Sequence, residues 1–414
     1  MREYSNDIVF VSVPETNTEG PYLAPFLLKA AVQNNGFKSK AFDFNKDHHN
    51  NGTWVNDWLN EIKHADPKWV GISFMNRKQI DAGKELLSAI RQSMPHVKIV
   101  AGGYCVGHHK GDEFGVELTK KKLVDHLIKG EGEEAIVDLL NGIYSTEYTT
   151  PVPIDKIPIP DYSDVIHHNY DKYFITGSRG CPMKCTFCTE NMFSKYYRYR
   201  SADSIISEMT YVKQQTGVNR FYFADSLVNG NPKQFRELIS RLPEIEVKWQ
   251  GYFSCLNIYT REDYENAAKA GLVHVSVGVE SGSETIRKEM GKTSTNESLY
   301  KLIGTFADNG VDVTILLIVG WPTETEENFE ETLQFITNIS KYDNLLVQPG
   351  TTLLVGPEMI TLNKKYKLIR PYGDKWRYGK NTKEERKKRW LRLVDHCKKL
   401  NVSVSEQHRK TIGV

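Results

Sequence analysis

The strongest constraint on this chain is a rhythm. Short apolar runs alternate with amphipathic helical segments, twice over, on either side of a proline-rich stretch. In the first half Asp7–Val13, Ser39–Phe44, Trp69–Phe74 and Lys98–Gly102 have strand character, and Leu123–Lys129 holds a further short candidate. Between them Leu23–Asn35, Trp54–His64 and Ile80–Ser93 carry helical spacing, Gly36 marks a helix end, and Glu134–Leu140 fits a closing helix. Strands alternating with helices of this length predict an α/β fold, a Rossmann-like doubly wound parallel sheet. Its ligands sit beyond the carboxyl ends of the strands. Pro151, Pro153, Pro158 and Pro160 then predict an extended connector between Tyr148 and Tyr162, where we place a domain boundary.

The rhythm resumes beyond it. Strand candidates are Tyr173–Thr176, Arg220–Ala224, Val247–Phe253, Val273–Val279, Asp312–Val319 and Asn344–Gln348. Helix candidates between them include Ser201–Gln215, Lys233–Arg241, Arg261–Ala270, Ser298–Asn309 and Glu326–Ser340. Six β/α units predict a partial (β/α)6 TIM-type barrel rather than a closed eight-stranded one, with active groups at the carboxyl ends of its strands. The tail, from about Asn363, ends in a helix near Thr382–Leu400. Trp390, Leu393, Val394, Cys397 and Leu400 share one face of it, a stripe expected to dock on the barrel. The expected division is 1–150, a linker 151–168, a barrel 169–360 and a short helical C-terminal extension 361–414.

Composition narrows the class. The chain is 39% hydrophobic and 26% charged, as soluble globular proteins are. It has no apolar run of about 18 residues, so no membrane span is expected. The opening M-R-E-Y-S-N-D lacks the apolar core of a signal peptide. Six cysteines in 414 residues are not a disulfide framework, and a reducing cytoplasm is the expected compartment. Net charge is +2, but Asn363–Val414 holds 17 Lys/Arg against 5 Asp/Glu, or +12, leaving the rest near −10. Such a tail suits nucleic acid or another acidic partner. A solvated helix face with exposed loops is the plainer reading and the one preferred here, so nucleic acid is not expected.

Three cysteines cluster in C-P-M-K-C-T-F-C: Cys181, Cys185 and Cys188, spaced C-x3-C-x2-C just after the first strand of the second half. Thiolates at this density favour a soft metal or an iron–sulfur cluster. No fourth cysteine lies nearby, so a cubane held here keeps one iron open for a substrate or cofactor. The alternative is a zinc knuckle completed by a distant His or Cys.

This spacing resembles that of the radical S-adenosylmethionine (SAM) superfamily. The resemblance covers most of the chain. It rests on G-S-R-G-C-P-M-K-C-T-F-C (Gly177 to Cys188), Y-R-Y-R-S (Tyr197 to Ser201), F-Y-F-A-D-S (Phe221 to Ser226), G-V-E-S-G-S (Gly278 to Ser283) and I-V-G-W-P-T-E-T (Ile318 to Thr325). It implies a radical SAM barrel in which Cys181, Cys185 and Cys188 bind three irons of a [4Fe–4S] cluster and SAM chelates the fourth. One electron then cleaves SAM to a 5′-deoxyadenosyl radical. A flavodoxin or ferredoxin is the implied electron donor.

The resemblance also assigns SAM contacts. Phe187 matches an aromatic position near adenine, with loop packing as its other reading. Asp225 ends the second barrel strand, where the SAM amino group is contacted, and a carboxylate suits an ammonium. Ser254 ends the third strand. Glu280 and Ser281 end the fourth, for ribose hydroxyls or the methionyl part. Ile318 and Gly320 end the fifth, flanking adenine, and Gln348 ends the sixth. Any of these can instead cap a helix.

G-P-Y-L-A-P-F-L-L-K-A-A (Gly20 to Ala31), F-D-F (Phe42 to Phe44), V-A-G-G (Val100 to Gly103) and K-G-E-G-E-E-A (Lys129 to Ala135) resemble the cobalamin (B12)-binding-type domain that precedes many radical SAM barrels. The cobalt-ligating D-x-H-x-x-G pattern is absent, since that loop reads P-E-T-N-T-E-G. Gly102 and Gly103 would let backbone approach a bulky cofactor. Met75, Asn76 and Tyr104 also follow strands, placed to face a corrin ring. The alternative is a Rossmann-like domain that has lost this ligand or holds only substrate.

Cysteine accounting removes some relatives. Only Cys105 is available for the extra N-terminal cluster of methylthiotransferases, and only Cys397 lies beyond Cys255 for an auxiliary one. The pairs His48–His49, His108–His109 and His167–His168 are read as surface residues, because adjacent side chains point apart. The leading reading is a cobalamin-dependent methyltransferase acting on an unactivated carbon of a small-molecule or peptide substrate. The second is a cobalamin-independent radical enzyme for dehydration, epimerisation or rearrangement. The third is a non-catalytic cluster or zinc module that binds nucleic acid.

Overall fold

The computed structural model describes residues 2–13, 20–44, 54–75, 77–106, 113–145, 147–148, 151–190, 194, 196–351, 357–369 and 375–405. Two compact units divide the chain: Met1–Ile175 with Ser207–Arg220, and Thr176–Ile206 with Phe221–Val414.

The first unit is built on five strands, β1 (Asn6–Ser12), β2 (Ser39–Asp43), β3 (Pro67–Ser73), β4 (Lys98–Gly102) and β5 (His126–Leu127). They lie in the order β2-β1-β3-β4-β5, all parallel. Helices α1 (Leu23–Gln33), α2 (Trp54–His64), α3 (Ile80–Ser93), α4 (Glu113–Lys120) and α5 (Gly132–Leu140) follow them in turn. Ile8, Val9, Phe10 and Val11 are all buried, so β1 is apolar on both faces, as a central parallel strand must be. The chain leaves β1 for β2 on one side and takes β3 on the other. That reversal makes a crevice past Ser12 and Ser73, the place where such sheets bind ligands. Buried Gln79 bridges it. Its Nε2 donates to the Val13 carbonyl at 2.9 Å, and its Oε1 accepts from the Met75 N–H at 2.7 Å.

The proline-rich connector is irregular, as expected, but it is packed rather than a loose tether. Val152, Ile154 and Ile157 are buried with Leu27. Lys29 of α1, nearly inaccessible, meets Asp161 at 2.9 Å and Asp164 at 2.5 Å. Two carboxylates around a buried ammonium neutralise a charge that would otherwise be expensive to desolvate.

In the second unit Lys248–Phe253, Leu272–Glu280, Asp312–Val319 and Leu345–Thr351 run parallel in consecutive order. Helices Arg261–Lys269, Asn296–Asp308 and Glu326–Ile339 alternate with them. Thr260, Thr295 and Thr325 open these helices with reciprocal capping boxes. Elements that escaped the sequence reading include the helix Pro357–Tyr366, and the two-residue strand Ser403–Val404, which pairs with Leu346 and Val347. One expected position also shifts. The strand expected over Asn344–Gln348 continues to Thr351. Gln348 therefore lies mid-strand, level with Leu316 and Gly278, and not at the strand's end.

The C-terminal helix Lys383–Lys399 is capped by Thr382 and docks through Trp390, Leu393 and Cys397. Trp390 Nε1 donates to the Pro349 carbonyl at 2.9 Å. Part of the basic tail serves this docking. Arg386 lies 3.8 Å over the Trp376 ring, Arg389 meets buried Glu324 at 3.0 Å, and Arg392 pairs with Glu326 and Glu330. No described helix is long and apolar enough to cross a membrane.

Candidate active site

The cysteine loop is held from two directions. On one side Asp225, just past the strand Arg220–Phe223, is buried and accepts two hydrogen bonds from the turn before the cysteines. The Gly177 N–H donates at 2.7 Å and the Ser178 hydroxyl at 2.6 Å. Burial pushes the Asp225 carboxyl up to about 7, against these bonds and nearby Arg200. Arg200 donates in turn to the Thr176 carbonyl at 3.0 Å and to the Ser204 hydroxyl. Asp225 thus fixes the backbone that presents Cys181.

On the other side, the Thr186 N–H donates to the Met290 carbonyl at 3.0 Å, and the Thr186 hydroxyl to the Glu289 carbonyl at 3.3 Å. Thr186 sits between Cys185 and Cys188, so this contact ties the loop to the turn after helix Glu284–Glu289. Burial raises all three thiols, Cys181 to about 11, and Cys181 is raised further by Cys188 and Cys185. Three soft donors on one loop suit a cluster, whose assembly must displace their protons. Among the described residues no three His, Cys, Asp or Glu side chains are drawn together as ligands of a single ion.

The fourth strand supplies a charge pair. Lys292 and Glu280 are both buried, with Nζ 2.9 Å from Oε1, and Lys292 also donates to the Gly278 carbonyl at 2.5 Å. Burial alone would lower the lysine's pKa. Glu280 and the neighbouring Cys185 and Cys188 outweigh it and hold the group above its usual value. Glu280 adopts φ +67° where the register shifts between Gly278 and Glu280. A bulge and a left-handed non-glycine residue re-aim the strand end, a local strain found mostly at functional sites. Lys292 was not anticipated from sequence.

The remaining expected residues fall as follows. Ser281 is buried and its carbonyl accepts from fully buried Arg287 at 2.5 Å, an arginine that also grips the Ser294 carbonyl and Asn296. Ser254 is half-buried, its backbone paired twice with the Asn229 side chain at 2.9 and 3.1 Å. Ile318 and Phe187 are partly buried against Met290, Trp321, Tyr366 and Trp376. Gly320 (φ +83°) lies under Arg386, whose Cγ would be 2.3 Å from an added Cβ. Glu289 completes this wall, accepting from Thr323 at 2.7 Å, Tyr366 at 2.7 Å and Trp321 at 3.3 Å.

In the first unit Met75 borders the crevice between β1 and β3. Gly102 and Gly103 differ. A Cβ on Gly103 (φ +92°) would meet Phe74 backbone at 2.7 Å, whereas one on Gly102 would have the Ile128 carbonyl at 3.5 Å as its nearest neighbour. Gly103 is needed by the turn itself, while Gly102 leaves room beside it. Tyr104 is 39% exposed. A crevice at the switch point, edged by glycine backbone, suits a bulky cofactor. Asn76, the P-E-T-N-T-E stretch and the pairs His48–His49 and His108–His109 lie outside the described residues. His167 is exposed and His168 half-buried, with ring centroids 4.3 Å apart.

A doubly wound domain followed by a parallel barrel with a three-cysteine loop defines a two-cofactor radical enzyme class. The comparisons agree with it. A radical SAM superfamily model matches residues 175–336, and a B12 binding domain model matches residues 11–140. An uncharacterized methyltransferase of Pyrococcus horikoshii is 30% identical over 75% of this chain and 74% of its own. The bacteriochlorophyllide d C-12(1)-methyltransferase of Chlorobaculum tepidum is 27% identical over 50% of this chain and 48% of its own. The anaerobic magnesium-protoporphyrin IX monomethyl ester cyclase of Cereibacter sphaeroides is 27% identical over 61% and 46%. The chain spans about half the length of these last two. Among solved structures, OxsB with aqua-cobalamin and SAM bound has a TM-score of 0.69 at 18% identity, covering 96% of this chain and 62% of that one. TsrM from Kitasatospora setae, with cobalamin and a [4Fe–4S] cluster bound, has 0.65 at 15%, covering 84% and 72%. At these identities the likeness is one of fold.

The chain belongs to the radical SAM superfamily, and a B12 binding domain precedes its radical SAM domain. It is an enzyme, and the cofactors of these two domains are a [4Fe–4S] cluster, SAM and cobalamin.

Proposed function

We propose that this enzyme methylates an unactivated carbon of a small-molecule or peptide substrate, using cobalamin as methyl carrier and a flavodoxin- or ferredoxin-type electron donor. The observation that carries the SAM site is the buried Lys292–Glu280 pair beside the cysteine loop. Cys181, Cys185 and Cys188 hold three irons. Lys292 and Glu280 offer a cation and an anion to the carboxylate and ammonium of the methionyl group. Phe187 and Ile318 flank adenine. Ser254 and Ser281 stand at strand ends for ribose hydroxyls. Asp225, fully engaged with Gly177 and Ser178, positions the loop instead of touching the ammonium. Met75, Gly102, Gly103 and Tyr104 edge the cobalamin crevice, with Asn76 next to them in sequence. The chemistry these groups supply when bound is one-electron cleavage of SAM and methyl carriage. On this reading residues 1–150 form the cobalamin domain, 151–168 the linker, 169–360 the barrel and 361–414 the extension.

The test is anaerobic reconstitution with iron, sulfide and hydroxocobalamin, followed by desalting, reduction and addition of SAM. A retained corrin band together with 5′-deoxyadenosine release is expected. Cys185→Ala should lose both the brown chromophore and SAM cleavage. Cleavage without a retained corrin favours a cobalamin-independent radical reaction. No cleavage by the reduced, cluster-loaded protein removes the radical reading.

A further inference from the structure

The arm between the barrel and the C-terminal helix carries exposed Lys364, Lys365, Lys367, Lys375, Arg377 and Lys380. None of the six forms an ion pair among the described residues, unlike Arg389 and Arg392. Described residues 362–369 and 375–381 contain no carboxylate. Two apolar side chains stand among the cations, Ile369 at 49% exposure and Tyr378 at 40%. Paired backbone bonds join Ile369 and Arg377 at 3.0 and 2.9 Å, and the neighbouring Trp376 is buried.

The patch stands directly behind the cysteine loop. Tyr378 packs on Tyr366 with centroids 5.9 Å apart, Tyr366 on Trp321 at 6.2 Å, and Trp321 on Phe187 at 6.1 Å. Phe187 lies between Cys185 and Cys188. Polar contacts follow the same route. The Tyr366 hydroxyl donates to Glu289, whose carbonyl accepts from Thr186, and Asn381 Nδ2 donates to the Trp321 carbonyl at 2.6 Å. A row of neighbouring rings therefore runs from a cationic surface to the loop that carries Cys185 and Cys188.

We propose that this arm is the docking surface for an acidic one-electron carrier protein. The inference rests on the functional reading above and names where its electron enters. Small electron-transfer interfaces rely on charge steering around a modest apolar centre, which six cations around Ile369 and Tyr378 provide. The electron leaves the reduced flavin or iron–sulfur centre of the carrier and enters the cluster held by Cys181, Cys185 and Cys188. A flavin hydroquinone anion loses one electron to become the neutral semiquinone, and the cluster gains that electron, with no proton released.

The test compares the cluster-loaded wild type with a Lys364→Glu, Lys375→Glu, Arg377→Glu, Lys380→Glu variant. A Lys120→Glu, Lys121→Glu, Lys122→Glu variant is the charge control. Calorimetric affinity for oxidised flavodoxin, and the rate of cluster bleaching by flavodoxin hydroquinone, should each fall at least about tenfold in the arm variant at low salt. The wild-type rate should drop steeply with salt and the variant rate should not. Dithionite-driven bleaching and the melting temperature should match wild type. Unchanged flavodoxin affinity and rate overturn the proposal, as does an equal loss in the charge control. Binding of an RNA hairpin that the arm variant loses, with flavodoxin affinity unmoved, overturns it in favour of nucleic acid. If dithionite-reduced wild type releases no 5′-deoxyadenosine, the functional reading fails, while the affinity comparison still decides the surface.

Discussion

Lys292 Nζ lies 2.9 Å from Glu280 Oε1, and both side chains are almost wholly withdrawn from solvent at the end of the fourth barrel strand. The pair balances its own charge, and under the proposed function it offers opposite signs to the zwitterionic end of SAM.

Removing one partner leaves the other charge buried alone. Lys292→Met should lower stability by about 3–5 kcal/mol and abolish measurable SAM binding. Lys292→Met with Glu280→Gln should regain most of the stability but not the SAM affinity. Denaturant melts and equilibrium dialysis with labelled SAM separate the two effects. Wild-type SAM affinity in the double variant removes the pair from the site.

Asp225 gives a pH signature. Its folded pKa, about 7, is raised above the ordinary 3.8. Between these values the folded protein binds a proton that the unfolded chain has lost. The contribution is therefore fully present in acid and is lost as pH rises through about 7. Asp225→Asn can still accept from the Gly177 N–H and donate to Ser178. The stability difference between wild type and this variant should shift by on the order of 2 kcal/mol from pH 5 to pH 8, with wild type the more pH-sensitive. A flat difference sinks the assignment.

Gly320→Ala places a methyl against the Arg386 stem at a positive φ. The expected loss is roughly 2–4 kcal/mol, with Lys383–Lys399 released first. Limited proteolysis should cut near that helix before the barrel.

The two glycines at the end of β4 separate fold from ligand. Gly103→Ala drives into Phe74 backbone and should destabilise the first unit by roughly 2–4 kcal/mol. Gly102→Ala has room and should melt like wild type while retaining less corrin after desalting. Equal retention would move the cofactor away from that backbone.

Much of this was legible in the chain. The apolar run of β1 and the Cys181–Cys188 spacing each carry a local signal, because strand burial and thiolate chemistry depend on neighbours in sequence. Glu280 was legible as a strand end, but its left-handed backbone was not. Lys292 was hidden among Arg287 and Lys288, since nothing local distinguishes a buried lysine from a solvated one. Asn229 and Arg287 were missed for the same reason, as their partners are backbone groups brought close only by the fold. Gln348 was misplaced because the strand's pairing with Asp312–Val319 carries it on to Thr351, and that pairing is not local in sequence.

The ribbon Ser403–Val404 closes over Leu346 and Val347 at the outer margin of the barrel sheet. Without it, apolar residues from Leu345 onward would present unpaired amides and carbonyls to any passing chain, the usual seed of edge-to-edge aggregation. Two residues at the far end of the fold thus act as a selvedge, keeping the weave from fraying into its neighbours.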